Sequence, residues 1–142
     1  MIILDTNVLS EVMRVQSDLA VTAWLDAQPI RDLWLSSITV FEISCGIEIL
    51  PNGKRKTGLA EALDDLLAVD FGGRIADFDE QSARLAGQLF ARQKATGWNP
   101  DFRDAQIAGI ATAHQARLAT RNTKHFEGTG LVLINPWDRS IA

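Results

Sequence analysis

The sequence predicts an α/β fold in which helices cover both faces of a central, mainly parallel sheet of five strands. Short aliphatic runs alternate with helical segments along the chain, which is the pattern of parallel βαβ units. The runs are apolar throughout, as strands buried on both faces are. The 142 residues, 46% apolar and 23% charged, suit one globular domain over residues 1–142.

The predicted strands are short runs of aliphatic and β-branched residues. They cover residues 2–4, 33–35, 74–76, 118–120 and 131–134. The first runs straight into Asp5-Thr6-Asn7 and the second into Ser36-Ser37, which are residues that favour helix caps and tight turns. Because helical segments separate the strands, we expect neighbouring strands to run parallel.

The predicted helices are recognised by their apolar spacing and by their capping residues. They cover about residues 7–14, the segment from Asp18 to near Pro29, the segment from Thr39 to Pro51, residues 57–69, the segment from Asp79 to Gly97, and the segment from Asn99-Pro100 to about Arg117. Asp18 and Asp79 are predicted N-caps. Thr39 is followed three residues later by Glu42, which matches the capping-box pattern. Pro100 suits the first turn of a helix.

The composition restricts the compartment and the mode of binding. The net charge is −4 at pH 7, and the single cysteine, Cys45, can form no internal disulfide. An acidic chain is poorly suited to grip nucleic acid mainly by neutralising phosphates, although bound cations can supply positive charge. No apolar run approaches the ~20 residues of a membrane span, and no secretory signal is visible. We therefore expect a cytoplasmic protein without membrane contact.

Four polar positions are predicted to meet at one edge of the sheet. Asp5 ends the first strand, Glu42 lies one turn into the helix after the second, Asp104 lies one turn into a later helix, and Asn122 follows the strand at 118–120. Ligands of open parallel sheets bind outside the carboxyl ends of the strands. Each acid alone could simply cap or charge a helix terminus. Their convergence favours a functional site.

A cluster of carboxylates at one edge predicts a bound cation. Like charges held together repel unless a cation neutralises them. Oxygen ligands of this kind suit Mg²⁺ or Mn²⁺. His114 and His125 stand isolated, so no zinc spacing is present, and the sequence contains no P-loop, dinucleotide glycine motif or serine nucleophile elbow.

Four segments resemble those of PIN-domain proteins, particularly bacterial VapC-type toxins and their FitB-like relatives. They are Met-Ile-Ile-Leu-Asp-Thr-Asn-Val-Leu-Ser-Glu at 1–11, Ser-Ile-Thr-Val-Phe-Glu-Ile-Ser-Cys-Gly at 37–46, Asp-Ala-Gln-Ile-Ala-Gly at 104–109 and Leu-Ala-Thr-Arg-Asn-Thr-Lys-His-Phe at 118–126. The terminal Asn135-Pro136-Trp137 also looks FitB-like. The resemblance spans the whole chain, in order and with family-like spacing.

The resemblance implies a three-layer α/β/α fold and a Mg²⁺- or Mn²⁺-dependent ribonuclease that forms a homodimer. In this expectation a metal-activated water cleaves an RNA phosphodiester bond. It also implies a cognate DNA-binding antitoxin, whose tail occupies the groove of the toxin and blocks its acidic site. Operator DNA is then bound only through the antitoxin.

The resemblance assigns roles to individual residues, and two of them depart from the family pattern. Asp5 and Asp104 are the expected metal ligands and Glu42 is a possible third, while Asn122 completes the catalytic set. Asn122 stands where FitB-like relatives carry an aspartate, and His125 where many members carry an acid, so a second metal ion is in question. Thr6, Asn7, Thr120 and Arg121 are expected to contact substrate or orient these ligands.

Several alternatives stay open at this point. The acidic groove could belong to a binding module that captures an antitoxin tail bearing Arg or Lys, and that acts in an operator-binding repressor complex with little nuclease activity. A DNA nuclease is a third, weaker possibility. Trp98 is the best candidate for stacking on a base, whereas Trp24, Trp34 and Trp137 are expected in core or dimer contacts. Cys45 is expected to be packed.

Overall fold

The computed structural model describes residues 1–141 and contains five strands and six α-helices in that range. The strands are Ile2–Leu4 (β1), Leu33–Ser36 (β2), Ile75–Ala76 (β3), Arg117–Ala119 (β4) and Leu133–Ile134 (β5). The α-helices are Thr6–Val12 (α1), Leu19–Asp26 (α2), Ser37–Glu48 (α3), Lys54–Asp65 (α4), Glu80–Ala95 (α5) and Phe102–Ala113 (α6). Short 3₁₀ segments occur at Ile30–Asp32, Thr123–Phe126 and Arg139–Ile141, and α4 continues as a π-helix over Leu66–Asp70.

The five strands form one sheet in the order β3-β2-β1-β4-β5, and every neighbouring pair is parallel. β1 is the central strand, with Ile3 opposite Trp34 on β2 and opposite Leu118 on β4. The chain leaves β1 toward β2 and β3 and later returns to its other side at β4. The order therefore reverses between β1 and β4, which is the topological switch point where open α/β sheets bind ligands.

Two apolar clusters pack on opposite faces of the sheet. Ile3 and Leu118 point into one cluster with residues of α5 and α6, including Leu89 and Ile107. Ile2 and Leu4, with their side chains on the other face, pack with residues of α1 and α2. This alternation follows from the two-residue period of a strand. The three-layer α/β/α fold with a parallel five-stranded sheet is thus confirmed.

Helices α5 and α6 pack very closely at Gly109. A β-carbon built on Gly109 would lie 2.4 Å from the carbonyl oxygen of Ser82 and 2.7 Å from the β-carbon of Ala86. Only a residue without a side chain fits there. This contact fixes α6, and with it Asp104 in the first turn of α6, against α5.

Two predicted helix starts are wrong. The helix expected from Asn99-Pro100 begins at Phe102, with Asp101 as its N-cap. The helix expected from Thr39 begins at Ser37, with Ser36 as its N-cap. Two further differences occur where α4 starts, three residues before position 57, and where α6 ends, at Ala113 instead of near Arg117. Among the described residues, no helix is long and apolar enough to cross a bilayer.

Candidate active site

Asp5 lies directly after β1, at the switch point, and only 4% of its surface is exposed. Its backbone amide continues the sheet by donating to the carbonyl of Ala119 at 2.9 Å. Its carboxylate accepts hydrogen bonds from the Thr6 amide at 2.8 Å and from the Thr120 hydroxyl at 2.7 Å. Asn7 Nδ2 lies 3.3 Å from the same carboxylate. Asp5 is thus the N-cap of α1 and also lines the cleft at the switch point.

Burial raises the pKa of Asp5 above its ordinary value. The hydrogen bonds from Thr120 and Thr6 act in the opposite direction, because they stabilise the ionised carboxylate. The negative charge of Asp104 raises the pKa of Asp5 further. Asp104 is therefore close enough to affect the ionisation of Asp5, and a bound cation would reduce this repulsion.

Glu42 is oriented by a hydroxyl network and does not form a capping box. The Thr39 amide donates a hydrogen bond to Ser36 Oγ at 3.1 Å, so Ser36 is the N-cap and Thr39 is an interior residue of α3. Glu42 Oε1 instead accepts from the Thr6 hydroxyl at 2.9 Å. Glu42 Oε2 lies 3.5 Å from the guanidinium of Arg103. The glutamate is therefore free of any helix-capping role and is held toward Thr6, the residue after Asp5.

Asp101, and not Asp104, is the N-cap of α6. The Asp101 carboxylate accepts hydrogen bonds from the amides of Arg103 and Asp104, at 2.8 and 3.3 Å. The Asp104 side chain can therefore turn into the cleft, where its Oδ2 lies 3.1 Å from His125 Nδ1. Burial raises the pKa of Asp104, the negative charge of Asp101 raises it further, and the nearby imidazole of His125 opposes both effects.

The residues after β4 close the site from the other side of the switch point. Thr120 is fully buried, and its hydroxyl both donates to Asp5 and accepts from the Asn122 amide at 3.0 Å. The Arg121 amide donates to Asn7 Oδ1 at 3.2 Å. The guanidinium of Arg121 lies 5.1 Å from the ring centroid of Trp137, which is cation–π distance. The exposed Asn122 is the N-cap residue of the 3₁₀ segment at Thr123–Phe126.

These side chains line a single cleft of about 380 Å³ above the carboxyl ends of β1 and β4. Seven of the residues expected at the site lie in its wall: Asp5, Thr6, Asn7, Glu42, Asp104, Arg121 and Asn122. Thr120 lies behind Asp5 and supports it from the core. Ser10, Glu11, Arg14 and Trp137 complete the wall.

Some wall residues could not be assigned from the sequence. Trp137 is predicted in core or dimer contacts, but it also lines the cleft, and the Arg121 guanidinium packs on its ring. Glu11 is buried, and its carboxylate accepts from the Asp18 amide at 2.7 Å, so it ties α1 to α2 and makes no hydrogen bond to Asp5. Cys45 was expected to be packed, yet it is exposed on α3. The helix around it is largely apolar, which suggested burial, but the position of Cys45 on α3 is exposed.

A wider groove of about 1030 Å³ adjoins the cleft between α1, α3 and α4. Thr6, Ser10, Arg14 and Glu42 line both. Apolar side chains such as Ile43, Ile47 and Leu59 form much of the remaining wall. A chain lying in the groove could thus reach the acidic cleft without leaving the surface.

The donor set of the cleft fits a hard divalent cation. Every candidate donor is a carboxylate or amide oxygen, and Mg²⁺ is usually held by one or two carboxylates while it keeps several waters. Within residues 1–141, no three His, Cys, Asp or Glu side chains are grouped closely enough to hold a metal ion together. The cleft offers the carboxylates of Asp5 and Asp104 for such an ion, whereas the Glu42 carboxylate is directed toward Arg103 and Thr6.

The fold and cleft belong to a known class of protein. The family model of the PIN domain matches residues 2–130, and the chain belongs to this family. It is similar to the VapC ribonuclease Y4jK of Sinorhizobium fredii, with 43% identity over 138 residues that cover 97% of this chain and 99% of the relative. The toxin FitB of Neisseria gonorrhoeae is 41% identical over 137 residues, which cover 96% and 99% of the two chains. A chain in a structure of FitAB bound to an IR36 DNA fragment matches with a TM-score of 0.90 and 40% identity, covering 97% of this chain and 96% of that one. The resemblance inferred from the four sequence segments is therefore confirmed.

Proposed function

We propose that this chain is the toxin of a type II toxin–antitoxin pair and that it hydrolyses RNA phosphodiester bonds at the cleft of Asp5, Glu42, Asp104 and Asn122. The observation that carries the proposal is convergence. Acids that are far apart in sequence lie in one cleft at the switch point, and two of them, Asp5 and Asp104, have raised pKa values. The similarity to a VapC ribonuclease and to the toxin FitB supports it.

In this proposal Asp5 and Asp104 hold a divalent ion, Mg²⁺ or Mn²⁺. The ion would offset negative charge on the scissile phosphate and promote ionisation of the attacking water. The protein contributes the ionised ligands: Thr120 and the Thr6 amide stabilise the Asp5 carboxylate, and His125 orients Asp104. Glu42, held by Thr6, faces the same space as a further ligand or as a partner of water. Asn122 adds an amide oxygen without charge. We therefore expect one firm metal site, with a second weakened by Asn122.

Arg121 and Asn7 are proposed to act on the phosphodiester from the β4 side. The Arg121 amide is fixed by Asn7, and its guanidinium rests against Trp137 in the wall of the cleft. A guanidinium placed there can pair with a phosphate oxygen. Arg121 and Arg14 are the two arginines in the wall, and Arg121 is the one that follows β4.

The proposed protein partner is a DNA-binding antitoxin whose tail lies in the groove between α1, α3 and α4. The groove is largely apolar and opens into the acidic cleft, so a helical tail ending in a basic residue would fit both parts. Operator DNA would be bound only through the antitoxin, in line with the DNA fragment in the FitAB structure. We also propose a homodimer in the cytoplasm. Exposed Phe41 and Cys45, one turn apart on α3, are candidate contacts between copies.

The test of the nuclease is cleavage of a single-stranded RNA by purified protein with and without Mg²⁺. Replacing a residue that only supports a metal ligand typically costs about 10–100-fold, so loss of the direct ligand in Asp104→Asn should lower kcat/KM by about 100-fold or more. Chelation of divalent ions should abolish cleavage. Asp64→Asn, at an exposed position on α4, is the matched control and should leave the rate unchanged. Full activity of Asp104→Asn would refute the assignment.

One observation favours a second candidate, a binding module with little nuclease activity. Glu42 already pairs with a guanidinium, that of Arg103 at 3.5 Å, so the cleft is chemically suited to an arginine of a partner. Titration calorimetry separates the two functions. The binding module predicts tight binding of an arginine-bearing antitoxin peptide together with negligible Mg²⁺ affinity, whereas the nuclease predicts measurable Mg²⁺ binding that Asp104→Asn removes.

A further inference from the structure

An aromatic group stands beside Asp104, outside the wall of the acidic cleft. Trp98 lies in the loop before α6 and keeps 43% of its surface exposed. Its ring centroid is 5.9 Å from that of His125, with the planes tilted by 45°. The imidazole of His125 in turn contacts the Asp104 carboxylate at 3.1 Å. A large exposed ring is thus connected to a proposed metal ligand through one intervening side chain.

We propose that Trp98 stacks a nucleobase of single-stranded RNA next to the phosphate that occupies the Asp5–Asp104 cleft. The inference rests on the proposed nuclease function and adds a base-binding subsite to it. Every base offers an aromatic face, so stacking binds single strands without demanding a particular sequence. A paired base inside a duplex has no free face, which makes the subsite selective for unpaired RNA.

The geometry determines where the base would lie. Two van der Waals contacts need about 7 Å between flanking rings, since each carbon–carbon contact takes about 3.5 Å. The 5.9 Å between Trp98 and His125 leaves no room for a base between them. The base therefore stacks on the outer, exposed face of Trp98, and His125 supports the inner side of the indole.

The segments on either side of Trp98 are held by contacts with α5. Gln93 is 5% exposed, and its amide donates to the carbonyls of His125 and Glu127, at 3.0 Å each. Phe102, the first residue of α6, stacks on Phe90 of α5 with ring centroids 4.7 Å apart. The loop that carries Trp98 is thus anchored at both ends, by α5 and by α6. A fixed platform loses little entropy when a base stacks on it.

Charge gives an independent reason for a stacking subsite. The chain has a net charge of −4, and Asp5, Glu42 and Asp104 face the cleft. Phosphate contacts can supply little of the affinity of such a surface for a polyanion. Stacking does not depend on charge, so it can hold the strand where the acids repel it.

The experiment measures the dissociation constant of a fluorescein-labelled ten-nucleotide 2′-O-methyl oligoadenylate by anisotropy, with gel analysis to show that it stays intact. Loss of one base–aromatic stack corresponds to about 1–3 kcal/mol, so Trp98→Ala should weaken binding by about 5- to 150-fold. Trp98→Phe keeps a ring and should recover most of the affinity. Val69→Ala, at another exposed apolar position, is the control and should change nothing. Circular dichroism and thermal melting verify that each variant is folded.

A second oligomer isolates the base. An abasic oligomer of equal length and charge has no base to stack. The wild-type protein should bind it about as weakly as Trp98→Ala binds the oligoadenylate. Trp98→Ala should bind the abasic oligomer with the same affinity as wild type does. The ratio of the two dissociation constants for the oligoadenylate, Trp98→Ala over wild type, should also be the same at 50 and 200 mM salt, because a stack releases no counterions. If Trp98→Ala weakened binding of the abasic oligomer as much as binding of the oligoadenylate, the proposal would be overturned.

The remaining outcomes are decisive too. If wild type fails to bind the oligoadenylate, or if Trp98→Ala leaves binding unchanged and weakens self-association in sedimentation, Trp98 is not a base platform. Cleavage assays keep this failure distinct from that of the proposed function. Cleavage that is unaffected by Trp98→Ala overturns the subsite alone, whereas Trp98-dependent binding without any Mg²⁺-dependent cleavage overturns the nuclease alone.

Discussion

At the scale of single residues, the charge of Asp5 depends on the hydroxyl of Thr120. The carboxylate is buried at the end of β1, and the 2.7 Å hydrogen bond from Thr120 is the largest influence that opposes the rise of its pKa. The bond also joins the first strand to the fourth. One hydroxyl therefore affects both the ionisation of the proposed ligand and the stability of the central strand pair.

Replacing Thr120 with valine should shift the pH dependence of cleavage. Without the hydrogen bond, the pKa of Asp5 rises further, so a higher pH is needed to ionise it. The acidic limb of the kcat/KM profile should therefore move to higher pH. Loss of a hydrogen bond to a charged group should also lower the free energy of unfolding by about 1.5–3 kcal/mol.

Thr120→Ser is the matched variant, because it keeps the hydroxyl and removes only a methyl group. It should retain the wild-type pH profile and lose about 0.8 kcal/mol of stability. pH–rate profiles and urea unfolding of both variants provide the comparison. An unshifted limb in Thr120→Val would mean that ionisation of Asp5 does not limit the reaction at low pH.

The sequence predicted the positions of the acids better than their contacts. Asp5 and Asp104 could be placed because each follows a recognisable strand or cap, and parallel strands bring their carboxyl ends together. The pairing of Asp104 with His125 could not be predicted. It depends on how α6 and the 3₁₀ segment at Thr123–Phe126 pack against α5, and no local spacing encodes that packing.

At the scale of elements, the two misplaced helix starts have one physical cause. Several residues in a row can cap a helix, and local pattern does not choose among them. Pairing of Ser36 with Ala76 extends β2 to Ser36, so the strand ends there and Ser36 takes the cap ahead of Thr39. At α6, the Asp101 carboxylate accepts two amides and starts the helix beyond Pro100.

Gln93 shows how α5 holds the 3₁₀ segment that carries His125. Gln93→Leu removes both hydrogen bonds that the buried Gln93 amide donates to the carbonyls of His125 and Glu127. We expect the free energy of unfolding to fall by about 1–3 kcal/mol. Gln88→Leu, on the exposed face of the same helix, should stay within about 0.5 kcal/mol of wild type. Denaturant titration distinguishes them, and equal stability of the two variants would contradict this role.

Gly109 provides the sharpest test of the contact between α5 and α6. Alanine is the better helix former, yet a β-carbon at Gly109 would meet backbone and side-chain atoms of α5 at 2.4–2.8 Å. Gly109→Ala should therefore cost about 1–3 kcal/mol through overpacking. At Gly87, where a β-carbon would meet nothing within 4 Å, the same change should stabilise by about 0.5–1 kcal/mol. Opposite shifts in Tm are expected, and a stabilised Gly109→Ala would show that the helices are less tightly packed.

At the scale of the whole molecule, the two aspartates should couple metal binding to global stability. Divalent ions that bind the folded state and not the unfolded chain stabilise it by about 1.4 kcal/mol at ten times their dissociation constant. We expect Mg²⁺ and Mn²⁺ to raise the Tm of the wild-type protein in scanning calorimetry. KCl of equal ionic strength serves as the control. Asp104→Asn should lose the response to divalent ions, and a response retained in that variant would place the ion elsewhere.

The position of β1 between β2 and β4 has a consequence for biosynthesis. Asp5 leaves the ribosome among the first residues, whereas its partner Thr120 lies 115 positions later. At 5–20 residues per second, roughly 6–23 s separate the synthesis of the two. For that interval Asp5 lacks the strand that aligns it, and Asp104 is made only shortly before Thr120, so a harmful activity is delayed until translation is nearly complete. Ribosome-bound chains stalled before residue 117 should be digested by protease within the β1 region, and chains stalled well after β5 should be protected.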